Sequence, residues 1–196
     1  NTKVNAGNYT TGNVTLNGAK AGNYILSAGL TLNKSFAIDK ATLTFNINDN
    51  AITYGQAPAQ AGFSAGEGVL KGSDTIGVVK GSPIWSYSYE QFDDVGLYSI
   101  FADISGMTAT NYNIVAGTNG QLTVGARTVA IKWYKIGSTI EYSMAFTYTG
   151  DSQGIYAAIS NSVNSDDVYL TCTGNSAVNA DTYEAEISTL AGAKAG

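Results

Sequence analysis

The sequence predicts a mainly β protein, built of tandem β-sandwich or β-grasp-like modules of about 85 residues with at most a short helical turn. Three observations carry that prediction. Only 13% of residues are charged against 44% apolar, and Gly and Tyr are abundant at 23 and 13 residues, a composition of strands and turns rather than of helices. Apolar side chains alternate with polar ones wherever a run is long enough to show a period, which puts one face of each strand inward. The chain also repeats itself: Val4 to Gly22 (VNAGNYTTGNVTLNGAKAG) lies over Val178 to Gly196 (VNADTYEAEISTLAGAKAG) without a gap, and eleven of the nineteen positions are identical.

A more diverged copy, Asp94 to Ile114 (DVGLYSIFADISGMTATNYNI), lies between them. The equivalent tyrosines are Tyr9, Tyr98 and Tyr183, with spacings of 89 and 85 residues (98 − 9 and 183 − 98), the length of a small domain rather than of a solenoid turn. The chain therefore divides into 1–39, the C-terminal part of one module; 40–126, a complete module; and 127–196, the N-terminal part of a third. In the first copy GAKAG runs on into two further apolar stretches, Asn23 to Ile38. The third copy is expected to lack their counterparts, as a window on a longer repetitive protein would. Because the window opens on Asn1 and not Met, any leader or anchor is expected outside it.

The elements follow in order. Ala41-Thr42-Leu43-Thr44-Phe45-Asn46-Ile47 predicts a half-buried strand with Leu43, Phe45 and Ile47 inward. Asp49-Asn50 predicts a turn, because short polar side chains bond their own backbone. From Phe63 to Gly72 the period of two is lost, and Ser64 followed three residues later by Glu67 is a capping-box pattern, so one helical turn is expected there. Tyr98, Ile100, Ala102 and Ile104 share one face of the next strand. Val129, Ile131 and Trp133 repeat the inward pattern at the head of the third module. Cys172 falls on the side of Val168 and Leu170 and is expected to be a small buried hydrophobe; one cysteine makes no internal disulfide.

In this order, Asn48-Asp49-Asn50, Ile52-Thr53-Tyr54-Gly55, Val95-Gly96-Leu97-Tyr98, Asn111-Tyr112-Asn113-Ile114 and Gly120-Gln121-Leu122-Thr123-Val124 resemble the mostly-β, glycine-rich modules called MBG or YDG repeats. These occur in tandem in large bacterial surface proteins and haemagglutinin-like adhesins. Ser35 to Leu43 is similar to the family's junction, where one module's last strand passes into the next module's first. Phe146-Thr147-Tyr148-Thr149-Gly150-Asp151-Ser152-Gln153 resembles a sister variety of the repeat. Two departures stand out: Asp181 replaces the glycine of the other copies (Gly7, Gly96), and Gln56 follows Gly55 where the family often has Asp. The resemblance implies an extracellular, cell-surface stalk or adhesive array with an all-β, Ig-like module, and no enzyme and no cofactor.

The residues themselves agree with that expectation. There is no histidine, which removes the commonest general base and metal ligand. Net charge is −5, and ten basic residues spread along the chain offer no phosphate-binding face, so nucleic acid is not an expected partner. No run approaches 18 consecutive apolar residues, so no membrane insertion is expected in this segment. Asp93-Asp94 and Asp166-Asp167 are read as solvated turns, and Asn46-x-Asn48-Asp49-Asn50 as a turn rather than a calcium linker, which would need more carboxylates. A carbohydrate-binding module is the alternative function. It would use Trp85, Tyr87 and Tyr89, which share one face of an alternating run: outward they would form a stacking platform, inward they would be core. Expected partners are neighbouring modules, a glycan or host protein, and a strand-exchanged or head-to-tail second copy, in which residues 1–38 complete a third module.

Overall fold

A computed structural model describes residues 5–12, 14–30, 33–66 and 69–194. The architecture is mainly β, and the helical content among the described residues is two single 3-10 turns, Ala21–Asn23 and Ile76–Val78. In the first segment β1 (Gly7–Thr10) pairs antiparallel with β2 (Ser35–Ile38), Tyr9 opposite Phe36 with their rings 5.5 Å apart.

The middle segment holds β3 (Ala41–Ile47), β4 (Asn50–Thr53), β5 (Phe63–Ala65), β6 (Ile84–Tyr87), β7 (Gly96–Asp103), β8 (Tyr112–Ala116) and β9 (Gly120–Gly125). These form a three-stranded sheet, β5-β3-β8, and a four-stranded sheet, β4-β9-β7-β6. β3 is central in the first sheet, antiparallel to β5 and parallel to β8, with Leu43 level with Ile114. Its alternation is as expected: Leu43, Phe45 and Ile47 are buried. Phe45 stacks on Phe63 at 4.2 Å and lies 6.4 Å from Trp85 of the other sheet, so the two sheets share one core.

Two strands change sheet at the same place. β3 leaves through Asn48-Asp49 into β4, and β8 leaves through Gly117 to Asn119 into β9. Asn46 Oδ1 accepts the Thr118 N–H at 3.1 Å, Asp49 Oδ1 accepts the Gln121 N–H at 2.8 Å, and Ile47 N–H donates to Thr118 O at 3.0 Å. The polar run from Asn46 is thus a corner that ties two bent backbones together. Gly120 belongs to the same corner: a Cβ there would come within 2.6 Å of Asn48 O.

The segment from Phe63 is a correction. Phe63–Ala65 is strand β5, in register with β3 (Phe45↔Ala65, Ile47↔Phe63), and not a helical turn. Tertiary pairing overrides the capping-box pattern here because the edge of β3 offers a ladder and two glycines weaken any helix. Val69 N–H donates to Gly66 O at 3.3 Å, and Glu67 and Gly68 lie outside the described residues.

The third segment holds β10 (Ile131–Lys135), β11 (Gln153–Ile159), β12 (Tyr169–Thr173), β13 (Ser176–Ala177) and β14 (Glu186–Ala191), in sheets ordered β10-β11-β13 and β12-β14. Trp133 is half-buried but Ile131 is 42% exposed, contrary to the inward reading. β3 is flanked on both edges, whereas the second edge of β10 is paired by Ile140 to Tyr142 at Trp133 to Lys135 and not at Ile131. Cys172 is half-buried beside Leu170 rather than fully buried.

By contact density the chain forms two compact units, neither of them continuous. One comprises Asn1–Asn50, Gln60–Ser88 and Ser99–Gln121; its core is Leu43, Phe45, Ile47, Ile100, Met107 and Tyr112. Tyr112 is 3% exposed, and its hydroxyl donates to Asp74 at 2.6 Å and accepts the Lys71 N–H at 2.9 Å. The other comprises Ala51–Ala59, Tyr89–Tyr98 and Leu122–Gly196, with Tyr89, Leu122, Val124 and Ala157 buried. The loop Tyr54-Gly55-Gln56 therefore belongs, by its contacts, with the third segment.

Candidate functional site

The aromatic run points inward. Trp85 and Tyr87 are half-buried and Tyr89 is 3% exposed, whereas Ile84 is 70% exposed and Ser86 and Ser88 face water. The Tyr89 ring packs edge-on against Tyr98 at 5.1 Å, and its hydroxyl donates to Gln56 O at 3.0 Å. Period two put the three rings on one face; the pairing of β6 with β7 turns that face to the core. Trp85, Tyr87 and Tyr89 do not present an open stacking platform.

What the structure does bring out is one local device made three times. The Tyr9 hydroxyl donates to Asn5 O at 2.6 Å, that of Tyr98 to Asp94 O at 2.7 Å, and that of Tyr183 to Asn179 O at 3.1 Å, in each case four residues back. This is a tyrosine corner: the ring folds over the chain entering its own strand and pins the turn before it. The residue two before the ring must leave room for it. A Cβ at Gly7 would lie 3.5 Å from the Tyr9 hydroxyl and one at Gly96 3.7 Å from the Tyr98 ring. Gly7, at φ +153°, would be strained by a side chain, but Gly96 is not in that region and its distance is an ordinary contact, as a place that Asp181 fills in the third copy requires. The GAKAG turn repeats as well, with Gly18 at φ +114° and Gly192 at φ +116°.

Each corner described with a following copy docks on that copy's turn. The first does so through Ala6, whose N–H donates to Asn111 Oδ1 at 2.8 Å, and through Asn5 Oδ1, which accepts from Asn111 Nδ2 at 3.2 Å. At the second, Asp94 pairs with Lys194 of the later GAKAG turn. The Tyr54-Gly55-Gln56 loop reinforces this second seam. Tyr54 Oη donates to Asp166 Oδ2 at 2.7 Å across 112 residues. Gly55 sits at φ +89°, and a Cβ there would come within 2.8 Å of the Val163 side chain. Gln56 Oε1 accepts the Thr53 N–H at 2.7 Å, and Gln91 Nε2 donates to Gly55 O at 2.8 Å, so the loop is held from both sides. Beneath it lies a cavity of about 330 Å³ lined by Tyr54, Asp94, Arg127, Val163, Asp166 and Leu190, among others.

The paired acids therefore divide their work. Asp93 closes a turn by accepting the Glu90 N–H at 2.8 Å, while Asp94 and Asp166 each take a partner distant in sequence, Lys194 and Tyr54. Among the described residues no three Cys, Asp or Glu side chains gather as metal ligands. Sequence reasoning passed over the seam because Tyr54 and Asp166 are joined only by folding; the one local signal was the Tyr-Gly dipeptide followed by no strand period.

Charge at the seam sets a pH response. Burial first, and then the hydrogen bond to Asp166, raise the Tyr54 phenol above its ordinary 10.0. The hydrogen bond to Asp94 likewise raises Lys194, and burial followed by the Asp93 charge raises Tyr98. Each group holds its proton in the fold at a pH where the unfolded chain has released it. Their contribution is therefore complete below the unfolded values near 10 and is lost as pH rises through the folded ones. The expected result is a melting temperature that falls from about pH 10 upward, and less steeply in Tyr54→Phe. Thermal scans between pH 8 and 11 measure it, and parallel curves for the two proteins would remove Tyr54 from the account.

Residues 43–123 match the MBG domain family, YGX type. The match ends two residues short of the end of β9 and contains Tyr54-Gly55-Gln56. No curated protein and no solved structure matches the chain.

Proposed function

We propose, from the MBG module of YGX type at residues 43–123, that this chain is a structural and adhesive repeat region of a bacterial cell-surface protein, extending or presenting a binding tip. The family supports a repeat-type module of surface proteins. The observation that carries the finer reading is the recurrence of one docking arrangement, a tyrosine corner set on the next copy's turn, at Asn5/Asn111 and at Asp94/Lys194. A contact that recurs with the module can be propagated along an array of any length. The reading is non-catalytic and extracellular, and no helix of the described residues is long and apolar enough to cross a membrane.

Force spectroscopy on the chain tethered at its two ends tests it. A module that carries tension should give a discrete unfolding peak for residues 40–126, followed by an extension gain of roughly 300 Å for 87 residues (126 − 40 + 1) at about 3.5 Å each. Featureless lengthening at low force would sink the reading. Partners under this proposal are neighbouring modules and a second copy. Tyr24, 69% exposed where its counterpart Tyr112 is buried, and Ile25, 95% exposed beside it, support the second copy. Sedimentation equilibrium would show the self-association, and a clean monomer would exclude it.

A further inference from the structure

The third copy differs from the others in one place that the seam does not explain. A groove of about 340 Å³ opens between the Tyr142 to Gln153 stretch and the turn that leads into its tyrosine corner. That volume is at the lower end of the roughly 300–1,000 Å³ of clefts that hold small ligands. Its rings are Tyr142 stacked on Phe146 at 5.6 Å, Tyr148 at 62% exposure and Tyr183 at 51%. Its polar side chains include Gln153, Asn175, Asn179 and Asp181.

These groups are positioned and yet not used up. Gln153 Nε2 donates to Thr147 O at 2.8 Å and Asn175 Nδ2 to Ile155 O at 2.9 Å, which orients both amides and leaves each carbonyl oxygen available. Asp181 Oδ1 accepts the Thr182 N–H at 2.8 Å, and its second oxygen is uncommitted. Among the described residues the hydroxyls of Tyr142 and Tyr148 and the side-chain amide of Asn179 make no hydrogen bond. Asp181 is the departure noted in the sequence, a carboxylate at the rim of this groove where the other copies carry Gly7 and Gly96.

We propose that this groove binds a neutral pyranose sugar, its ring stacked on Tyr148 and its vicinal hydroxyls on Asp181 and the amide carbonyls. The chemistry selects that class. Exposed aromatic faces accept the apolar C–H face of a sugar ring, and a carboxylate with spare acceptors takes two adjacent O–H donors. The single carboxylate opposes an anionic ligand. A peptide taken by strand addition would bind through main-chain groups and would not need the Asp181 carboxylate. This site goes beyond the repeat function and is separate from Trp85, Tyr87 and Tyr89, which face the core.

Titration of the chain with the methyl glycosides of glucose, galactose, mannose and N-acetylglucosamine, followed by amide chemical shifts, tests the proposal. At up to about 50 mM a Kd of about 1–10 mM is measurable. At least one glycoside is expected to shift amides confined to residues 142–154 and 175–183. Tyr148→Ala and Asp181→Gly should each weaken it about tenfold or more, while Tyr24→Ala, an exposed ring in the first copy, should leave it unchanged. Asp181→Gly restores the residue of the other copies, and a dispersed amide spectrum of either variant verifies its fold. Silence from all four glycosides overturns the proposal. So does equal binding of the methyl glycoside of glucuronic acid, which is anionic, or a response to a tyrosine-rich peptide alone.

Discussion

Phe45→Ala is expected to lower the unfolding free energy by about 3–5 kcal/mol, the range for removing a buried aromatic ring from a packed core. Phe45 is 2% exposed at the centre of β3, stacked on Phe63 and close to Trp85. Its loss opens a void between the two sheets of the middle module, and neither sheet can close over it without moving β5 or β6. Phe45→Leu keeps most of the volume and should cost less than about 1.5 kcal/mol. Ile84→Ala, on the outward face of β6 at 70% exposure, should stay within about 0.5 kcal/mol. Urea unfolding monitored by tryptophan fluorescence ranks the three. If Phe45→Ala and Ile84→Ala fell together, the inward face assigned to β3 would be wrong.

The second large effect is expected at Gly192. A Cβ there would overlap the Asp167 carbonyl, at the point where β14 leaves its pairing with β12, and φ is +116°. Left-handed strain and forced separation of two backbones together suggest roughly 2–5 kcal/mol for Gly192→Ala. Gly18 has the same φ in the first copy, but a Cβ there meets nothing within 4 Å. Gly18→Ala should therefore show the strain alone, about 1–3 kcal/mol. Thermal melts of both variants separate the two contributions, and equal losses would mean that the close approach in the third copy is not made.

Local pattern made the strands and the repeats legible. The faces of β3 follow from its period of two, and the likeness of Val4–Gly22, Asp94–Ile114 and Val178–Gly196 aligned Tyr9, Tyr98 and Tyr183, although that their hydroxyls each close a corner four residues back appears only in the fold. Alternation puts Trp85, Tyr87 and Tyr89 on one face but is silent about which face the sheet turns inward, since β6 acquires that sense only by pairing with β7. At Phe63 the local pattern misled: a capping-box spacing is a preference of about 1 kcal/mol, less than a ladder on β3 supplies. The seam was illegible for a different reason. Tyr54 and Asp166, like Asp94 and Lys194, are ordinary turn residues whose partners lie 112 and 100 residues away, and no short-range rule connects them. The groove of the third copy sits between these cases, because its one sequence signal, Asp181 in a glycine's place, was visible but had no partner until the fold supplied Tyr148 and Gln153.

The Tyr54-Gly55-Gln56 loop locks one copy against the next through Asp166, and a double-mutant cycle on Tyr54 and Asp166 tests that most directly. Tyr54→Phe, Asp166→Ala and the double variant are compared with the parent chain by chemical denaturation. A direct hydrogen bond to a carboxylate predicts a coupling of about 1–2 kcal/mol, so that the second substitution costs little once the first is made. Losses that simply add, to within about 0.3 kcal/mol, would show the two side chains to be independent and would contradict a seam between the modules.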